Sequence, residues 1–287
     1  MTFNTKKAFS VFTLSLGTLY CSLVQGEALI ESESIDLPTS SFQGVMTNPY
    51  RTDGFGSQFQ TIIFSVIYAE FHNFKYYYTP FTNLEHNYDN DPSFTNKLEV
   101  LINFMDNFEI NRDVNLQQQF KPWDLIHFFE NNIAACANSA SLKKMKKIFR
   151  ANKSKQNYFD CNRLNIAIHI RRPNSHDSRL LGADVPDEFF YNIIQSLKEK
   201  YILEQPIFHI YSQGDLGDFQ RKYIPLGAVL HIDESLESTF ASLVFADILV
   251  TSPSGLSYSA GILSDGIVYY IPFWHPPLPH WISCPPS

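Results

Sequence analysis

The sequence is short of cysteine, of positive charge and of long apolar runs, and each shortage excludes something. Four cysteines in 287 residues are too few for a disulfide scaffold. Beyond the stretch from Ala8 to Val24, no run approaches the about 20 apolar residues of a membrane span, so a multi-pass membrane protein is excluded. Twenty-two basic against 29 acidic residues give a formal charge of −7, and the pI is near 5.7. A nucleic-acid backbone is held by clustered Lys and Arg, so it is not the bulk partner, although a local basic patch can still bind one nucleotide. What remains is 44% hydrophobic and 18% charged with a mean hydropathy of −0.16, the profile of a folded chain rather than a disordered one. At about 150 residues per domain, the length predicts one large domain or two with a cleft between them. The aromatic share of 15% fits a sugar-binding surface as readily as a bias in base composition.

The one long apolar run is preceded by Lys6 and Lys7 and followed by Gln25 and the small residue Gly26. A basic start, an apolar middle and a small residue at the end read as a signal peptide over residues 1–26, with an uncleaved signal anchor as the alternative. The chain is therefore expected on the secretory route, as a secreted, periplasmic or lumenal protein, or anchored to a membrane. Cleavage would take the formal charge from −7 to −9, because Lys6 and Lys7 leave and no acid does. It also removes Cys21, and Cys136, Cys161 and Cys284 allow at most one bridge and match no zinc spacing.

From Leu164 onward, short β-branched runs alternate with helical segments, the pattern of a parallel sheet covered on both faces. Strands are predicted at 164–170, 206–212, 228–233, 247–251 and 267–271. Helices are predicted at 187–201, 216–223, 237–246 and 256–264. The first of these begins with Asp187 and Glu188 and ends with Lys198 and Lys200, which suits the helix dipole. The preceding half opens as turn, helix and strand through residues 54–78, and helices are expected near 97–107 and over 124–147. This organisation predicts an N-terminal α/β half over 40–155 and a C-terminal Rossmann-like half over 160–287. Seven of the 22 basic residues fall between Lys143 and Lys155 around a stripe of Leu142, Met145, Ile148 and Phe149. The run reads first as a solvated helix face, and otherwise as a surface for a membrane or an anionic acceptor.

Three segments carry phosphate chemistry. In the strand ending His169-Ile170-Arg171-Arg172, the alternation of side chains puts His169 and Arg171 on one face at the carboxyl end, where such sheets bind ligands. Arginine suits a phosphate because its planar fork donates two parallel hydrogen bonds and keeps its charge. In GFGSQFQ, Gly54 and Gly56 precede a helix whose first amides would face an anion. In TSPSGLSYSAG, Ser252, Ser254 and the amide of Gly255 lie where a strand turns into a helix, a setting that also suits a plain N-cap.

With these residues the chain resembles the GDP-fucose-dependent fucosyltransferases, the group of α1,2-, α1,6- and protein O-fucosyltransferases, and is closest in style to glycosyltransferase family 11. Those enzymes carry a Gly-rich turn, an H-x-R-R strand end and a late Ser-rich turn in this order, and the match spans about residues 52–271. The resemblance implies a GT-B-like α/β fold, with two Rossmann-like halves facing a cleft. It implies GDP-fucose as donor substrate, a glycan or protein hydroxyl as acceptor, no cofactor and no metal, and inverting transfer. Carried over, His169 faces the guanine and Arg171 holds the β-phosphate, stabilising charge on departing GDP. Arg172 orients the strand end. Gly54, Phe55, Gly56, Ser57 and Gln58 close on the pyrophosphate, Ser252, Ser254 and Gly255 bind phosphate oxygens, and Asp233 or Thr239 reaches the base or ribose. Here Pro173 and Asn174 follow the arginines where relatives have Gly-Asp. Ser57 stands where Asn is usual, Gly255 where many relatives carry Ser, and Thr239 near where the α1,6-transferases have a guanine-binding Asp. His176 and Asp177, in the loop beyond the arginines, are the candidate bases for the acceptor proton.

Two other readings stand beside this one. Asp89-Asn90-Asp91 matches the D-x-D that bridges Mn²⁺ or Mg²⁺ to a diphosphate in another transferase class, although no apolar strand precedes it. The tail FWHPPLPHW would serve an inactive sugar-binding module, with Trp274 and Trp281 stacking on sugar faces. With six of the 16 prolines from Pro272 onward, the tail also reads as an extended strap across both halves.

Overall fold

The computed structural model describes residues 41–87, 89–172 and 184–286. The leader, Pro173, Asn174, His176 and Asp177 lie outside them. The chain begins with strand β1 (Gly44–Thr47), helix α1 (Phe55–Phe71) and strand β2 (Phe74–Tyr77), and β1 pairs with β2 in parallel. This is a βαβ unit, so the turn–helix–strand reading of the N-terminal half holds, and β1 is the piece the sequence did not give away. The rest of that half is helical: α2 (Phe94–Ile102), α3 (Pro122–Asn131), α4 (Ile133–Ala137) and α5 (Ala140–Arg150).

The single helix expected over 124–147 is thus three helices. Two polar interruptions break it. Asn132 and Asn138 turn their side-chain amides back to the carbonyls of Phe128 and Ala134, and the Ser139 hydroxyl accepts the Leu142 amide to restart the backbone as α5. Such residues offer the backbone local partners that compete with helix continuation.

The C-terminal half matches the predicted elements closely. Strands β3 (Asn165–His169), β4 (Ile207–Ser212), β5 (Ala228–Ile232), β6 (Ile248–Val250), β7 (Ile267–Tyr270) and the short β8 (Ile282–Ser283) alternate with α6 (Asp187–Lys200), α7 (Leu216–Tyr223), α8 (Leu236–Phe245) and α9 (Gly255–Leu263). All strand pairs are parallel, in the order β5-β4-β3-β6-β7-β8. Counted from β3, this is the 3-2-1-4-5-6 order of a doubly wound sheet, which reverses direction between β3 and β6.

The alternation along β3 divides the core. Ile166, Ile168 and Ile170 face one side and pack with Phe190, Ile194, Phe208 and Ile248 beneath α6 and α7. Ala167 faces the other side, with Leu249, Phe240 and Tyr258, and this cluster continues through Phe55, Phe59, Phe64 and Phe149 into the N-terminal helices. The described residues accordingly belong to one compact unit. With only two strands, the N-terminal half fills its interior with rings: Phe64 stacks on Phe129 at 4.0 Å, and Phe240 stands edge-on to Phe55 and Phe149 at 5.1 and 5.7 Å. Such pairs contribute about 0.5–1.5 kcal/mol each beyond area burial.

The basic run divides between faces of α5. Leu142, Met145, Ile148 and Phe149 are buried as predicted. Lys146 and Arg150 cap the end of α9, donating to the carbonyls of Ser264 and Leu263 at 2.6 and 2.8 Å and pairing with Asp265. Cations at orphan carbonyls and the negative helix end are a structural use of charge. Cys136, Cys161 and Cys284 are all free thiols. Among the described residues, no helix is long and apolar enough to cross a membrane.

Candidate active site cleft

The switch point of the sheet opens into a cleft of about 1090 Å³. Strand β3 delivers His169 and Arg171 there, and the turn after β6 delivers Ser254 and Gly255. From the opposite side comes the first turn of α1, and the two helix starts touch. A Cβ on Gly56 would stand 2.4 Å from the Leu256 nitrogen and 2.7 Å from the Gly255 carbonyl carbon, so only glycine allows this approach. The Ser259 hydroxyl donates to the Gly56 carbonyl at 2.9 Å and locks the contact. The N-terminal ends of α1 and α9 therefore meet in the cleft that Arg171 also lines, each with the partial positive charge of a helix start.

His169 is buried, and its Nδ1 lies 3.3 Å from the Ser252 hydroxyl. Burial, with the nearby charge of Arg171, pulls its pKa down to about 3, so the ring is neutral at neutral pH. Arg171 is held by its own amide, which donates to Ser252 Oγ at 3.0 Å, and by a guanidinium bond to the Pro253 carbonyl at 3.1 Å. Asp233 sits at the end of β5 with φ 55° and accepts the Gly214 amide at 3.1 Å, and Thr239 on α8 lines the same wall.

Other expected residues work differently. Ser252 is buried and its hydroxyl is occupied by the Arg171 amide and His169, so it positions the arginine instead of reaching into the cleft. Ser254 caps α9 through the Leu256 amide at 3.2 Å. Arg172 also lines the cleft, but its guanidinium is tied to Asp187 and the Val185 carbonyl, and Asp187 accepts from Lys222 and Tyr223 as well. Those bonds and cations hold the Asp187 carboxyl below its usual pKa despite the opposing effect of burial. The Phe55 ring is buried in the aromatic core. Gln58 spends its amide on the carbonyls of Asp53 and Asn83, at 2.6 and 2.7 Å, to fix the turn. Ser57 accepts from Arg51, which also pairs with Asp53.

The D-x-D match places both acids on the cleft rim. Asp91 is engaged locally by the Ser93 amide and hydroxyl and by Lys97 at 2.7 Å, and these bonds hold its pKa at about 2. Among the described residues, no cluster of three His, Cys, Asp or Glu side chains has metal-binding geometry. In the tail, Trp281 is buried against Tyr258 and Tyr270 and is a core residue, while Trp274 is 73% exposed at the cleft.

The sequence reading missed three residues in this cleft. His275 Nδ1 lies 2.7 Å from a carboxylate oxygen of Glu130. Gln60, one turn into α1, lines the cleft with its Nε2 buried and without a partner among the described residues. The spacing of Trp123, Ile126, His127 and Glu130 along α3 is a helical face that could have been read in advance. The pairing of Glu130 with His275, 145 residues apart, could not.

No protein-family profile and no curated protein matches the chain. Among solved structures it is similar to POFUT1 in complex with GDP, at 11% identity, 78% of this chain, 94% of that one and a TM-score of 0.39. It is also similar to the NodZ α-1,6-fucosyltransferase co-crystallised with GDP, at 12% identity, 80% and 96% coverage and a TM-score of 0.37. A third is the E. coli heptosyltransferase WaaC with ADP-2-deoxy-2-fluoro heptose, at 10% identity, 84% and 92% coverage and a TM-score of 0.36.

Proposed function

We propose that the chain is a glycosyltransferase that moves a sugar, fucose by the resemblance of its motifs, from a nucleoside diphosphate to a hydroxyl. One observation carries this reading: Arg171 and the N-termini of α1 and α9 meet at the switch point of a doubly wound parallel sheet. A diphosphate is the group that such an arrangement favours, because amide donors, two helix ends and a guanidinium fork all select a compact anion. The cleft is at or above the ~300–1,000 Å³ of ordinary small-molecule sites, which leaves room for donor and acceptor together.

In this reading, Arg171 and the helix amides stabilise the charge that gathers on the β-phosphate as the bond to the anomeric carbon breaks. Neutral His169 offers the guanine edge a ring nitrogen, since Nδ1 is turned to Ser252. Asp233 and Thr239, which line the same cleft, would meet the base or ribose. Ser252 and Gln58 act behind the site by fixing Arg171 and the Gly-rich turn.

Calorimetry with GDP, and release of GDP from GDP-fucose, both in EDTA, test the proposal. Binding and turnover are expected, with Arg171→Ala weakening both. Full turnover by Arg171→Ala would remove the arginine from the mechanism. Activity lost in EDTA and restored by Mn²⁺ would favour Asp89 and Asp91 as metal ligands.

A further inference from the structure

The wall of the cleft facing the diphosphate position has its own chemistry. Trp123, Ile126, His127 and Glu130 lie on one face of α3 at i, i+3, i+4 and i+7, and the segment Phe273-Trp274-His275 completes the surface. Trp123 and Trp274 are 64% and 73% exposed, large for tryptophans in a cleft, and Trp274 is braced by a stack on Phe273 at 4.4 Å. An exposed, rigid indole face suits the apolar face of a sugar ring.

Between these aromatics lies the Glu130–His275 pair. His275 is buried at its sides by Phe64 and Tyr258, and its carbonyl is fixed by the Tyr270 hydroxyl. A carboxylate only accepts, so the hydrogen bond puts the proton on Nδ1 and leaves the lone pair on Nε2. Nε2 has no partner among the described residues, and the ring lines the cleft. The orphaned Nε2 of Gln60 is a further donor on this side. It lies one turn before Phe64, the ring that packs on Phe129 of α3 and edge-on to His275.

We propose that this wall is the acceptor subsite, that its ligand is a neutral pyranoside of a glycan, and that His275, oriented by Glu130, is the general base. The proposal rests on the donor reading above. The Glu130 carboxylate on this wall disfavours an anionic acceptor. In the step, the acceptor O–H proton passes to His275 Nε2 as the acceptor oxygen bonds to the anomeric carbon. The bond from that carbon to the β-phosphate oxygen breaks, and its electron pair leaves with the nucleoside diphosphate toward Arg171. Glu130 is a positioning residue that stabilises the imidazolium as it forms.

The test uses GDP-fucose hydrolysis, in which water stands in for the acceptor, beside GDP calorimetry. His275→Ala should lower GDP release at least 10-fold with GDP affinity unchanged, and added imidazole should restore part of the rate. Glu130→Gln, which preserves shape and an acceptor oxygen, should lower kcat several-fold without changing the donor KM. Tryptophan emission should respond to neutral oligosaccharides from lactose to chitotriose, and Trp274→Ala should weaken that binding at least 10-fold. Wild-type GDP release by His275→Ala, with GDP still bound, would overturn the base. A silent emission titration, or transfer to Ser/Thr peptides and to no sugar, would overturn the glycan subsite. Failure of the unaltered chain to bind GDP would instead overturn the donor reading.

Discussion

Replacing Gly56 by alanine tests the convergence of helix ends on which the donor site depends. The added methyl would meet Leu256 N, Leu256 Cα and Gly255 C at 2.4, 2.6 and 2.7 Å, all of them backbone atoms of the α9 start. Side chains can swing away from such a clash, but two helix termini cannot, so α1 and α9 must separate. Overpacking of this kind costs about 1–3 kcal/mol. The Ser259–Gly56 hydrogen bond contributes about 1 kcal/mol more if it breaks. Against this, alanine gains at most about 1 kcal/mol of helix propensity over glycine. The net loss of about 2 kcal/mol corresponds to about 4–8 °C in Tm for a chain of this size. If one helix end also withdraws from the ligand, the loss of about 0.3–2 kcal/mol is up to about 30-fold in GDP affinity. Thermal melts and GDP calorimetry measure the two effects, with Gly255→Ala as the comparison. At Gly255 the nearest atom to a new Cβ is 3.4 Å away, an ordinary contact, so Tm should move little. A Gly56→Ala chain that melts and binds GDP like the original would refute the reasoning.

The neighbouring arginines should separate by assay. Arg171→Ala is expected to weaken GDP binding about 10- to 150-fold, from the ~1.5–3 kcal/mol of a charge-assisted bond, whereas Arg172→Ala, tied to Asp187, should chiefly lower Tm. Trp281→Ala should cost about 3–5 kcal/mol in urea unfolding, and Trp281→Phe much less, because the indole N–H has no partner among the described residues. Stability should fall as pH drops from about 6.5 toward 4. His169 and His209, at about 3 and 4 when folded, stay neutral while the unfolded chain protonates near 6.5, a slope of up to about 1.4 kcal/mol per pH unit for each. The lowered Asp53 and Asp187 act in the same direction at lower pH, and the raised Glu99 acts against it. Urea midpoints at pH 7, 6 and 5 check this, and His209→Gln should flatten the slope by about one proton.

Much of the C-terminal half was legible because its signals are local. A strand buried on both faces reads as a β-branched run, a parallel connection needs a helix, and acids and lysines mark the ends of α6. The N-terminal half was harder. Its interior is rich in phenylalanines from α1, α3, α5, α8 and the segment after α2, and rings suit helix and strand positions alike, so the pattern gave no period to follow. The aromatic excess is mostly this core, with Phe42, Tyr50, Phe71, Trp123 and Trp274 among the exposed rings.

The sequence by itself determined that His169 and Arg171 would stand at the carboxyl end of β3 and that glycines and serines would start the flanking helices. The tertiary structure decided which of those groups face the cleft. Ser252, Gln58 and Arg172 have the right chemistry and the right position in the chain, but each is consumed by a partner distant in sequence or set by the turn: the Arg171 amide, the Asn83 carbonyl, the Asp187 carboxylate. Glu130 and His275 became a pair only when α1, packed between α3 and the tail, brought them within 2.7 Å. Local sequence fixes what a side chain is able to do. Whether its hydrogen-bonding capacity is left over for a ligand depends on neighbours that only the folded chain supplies.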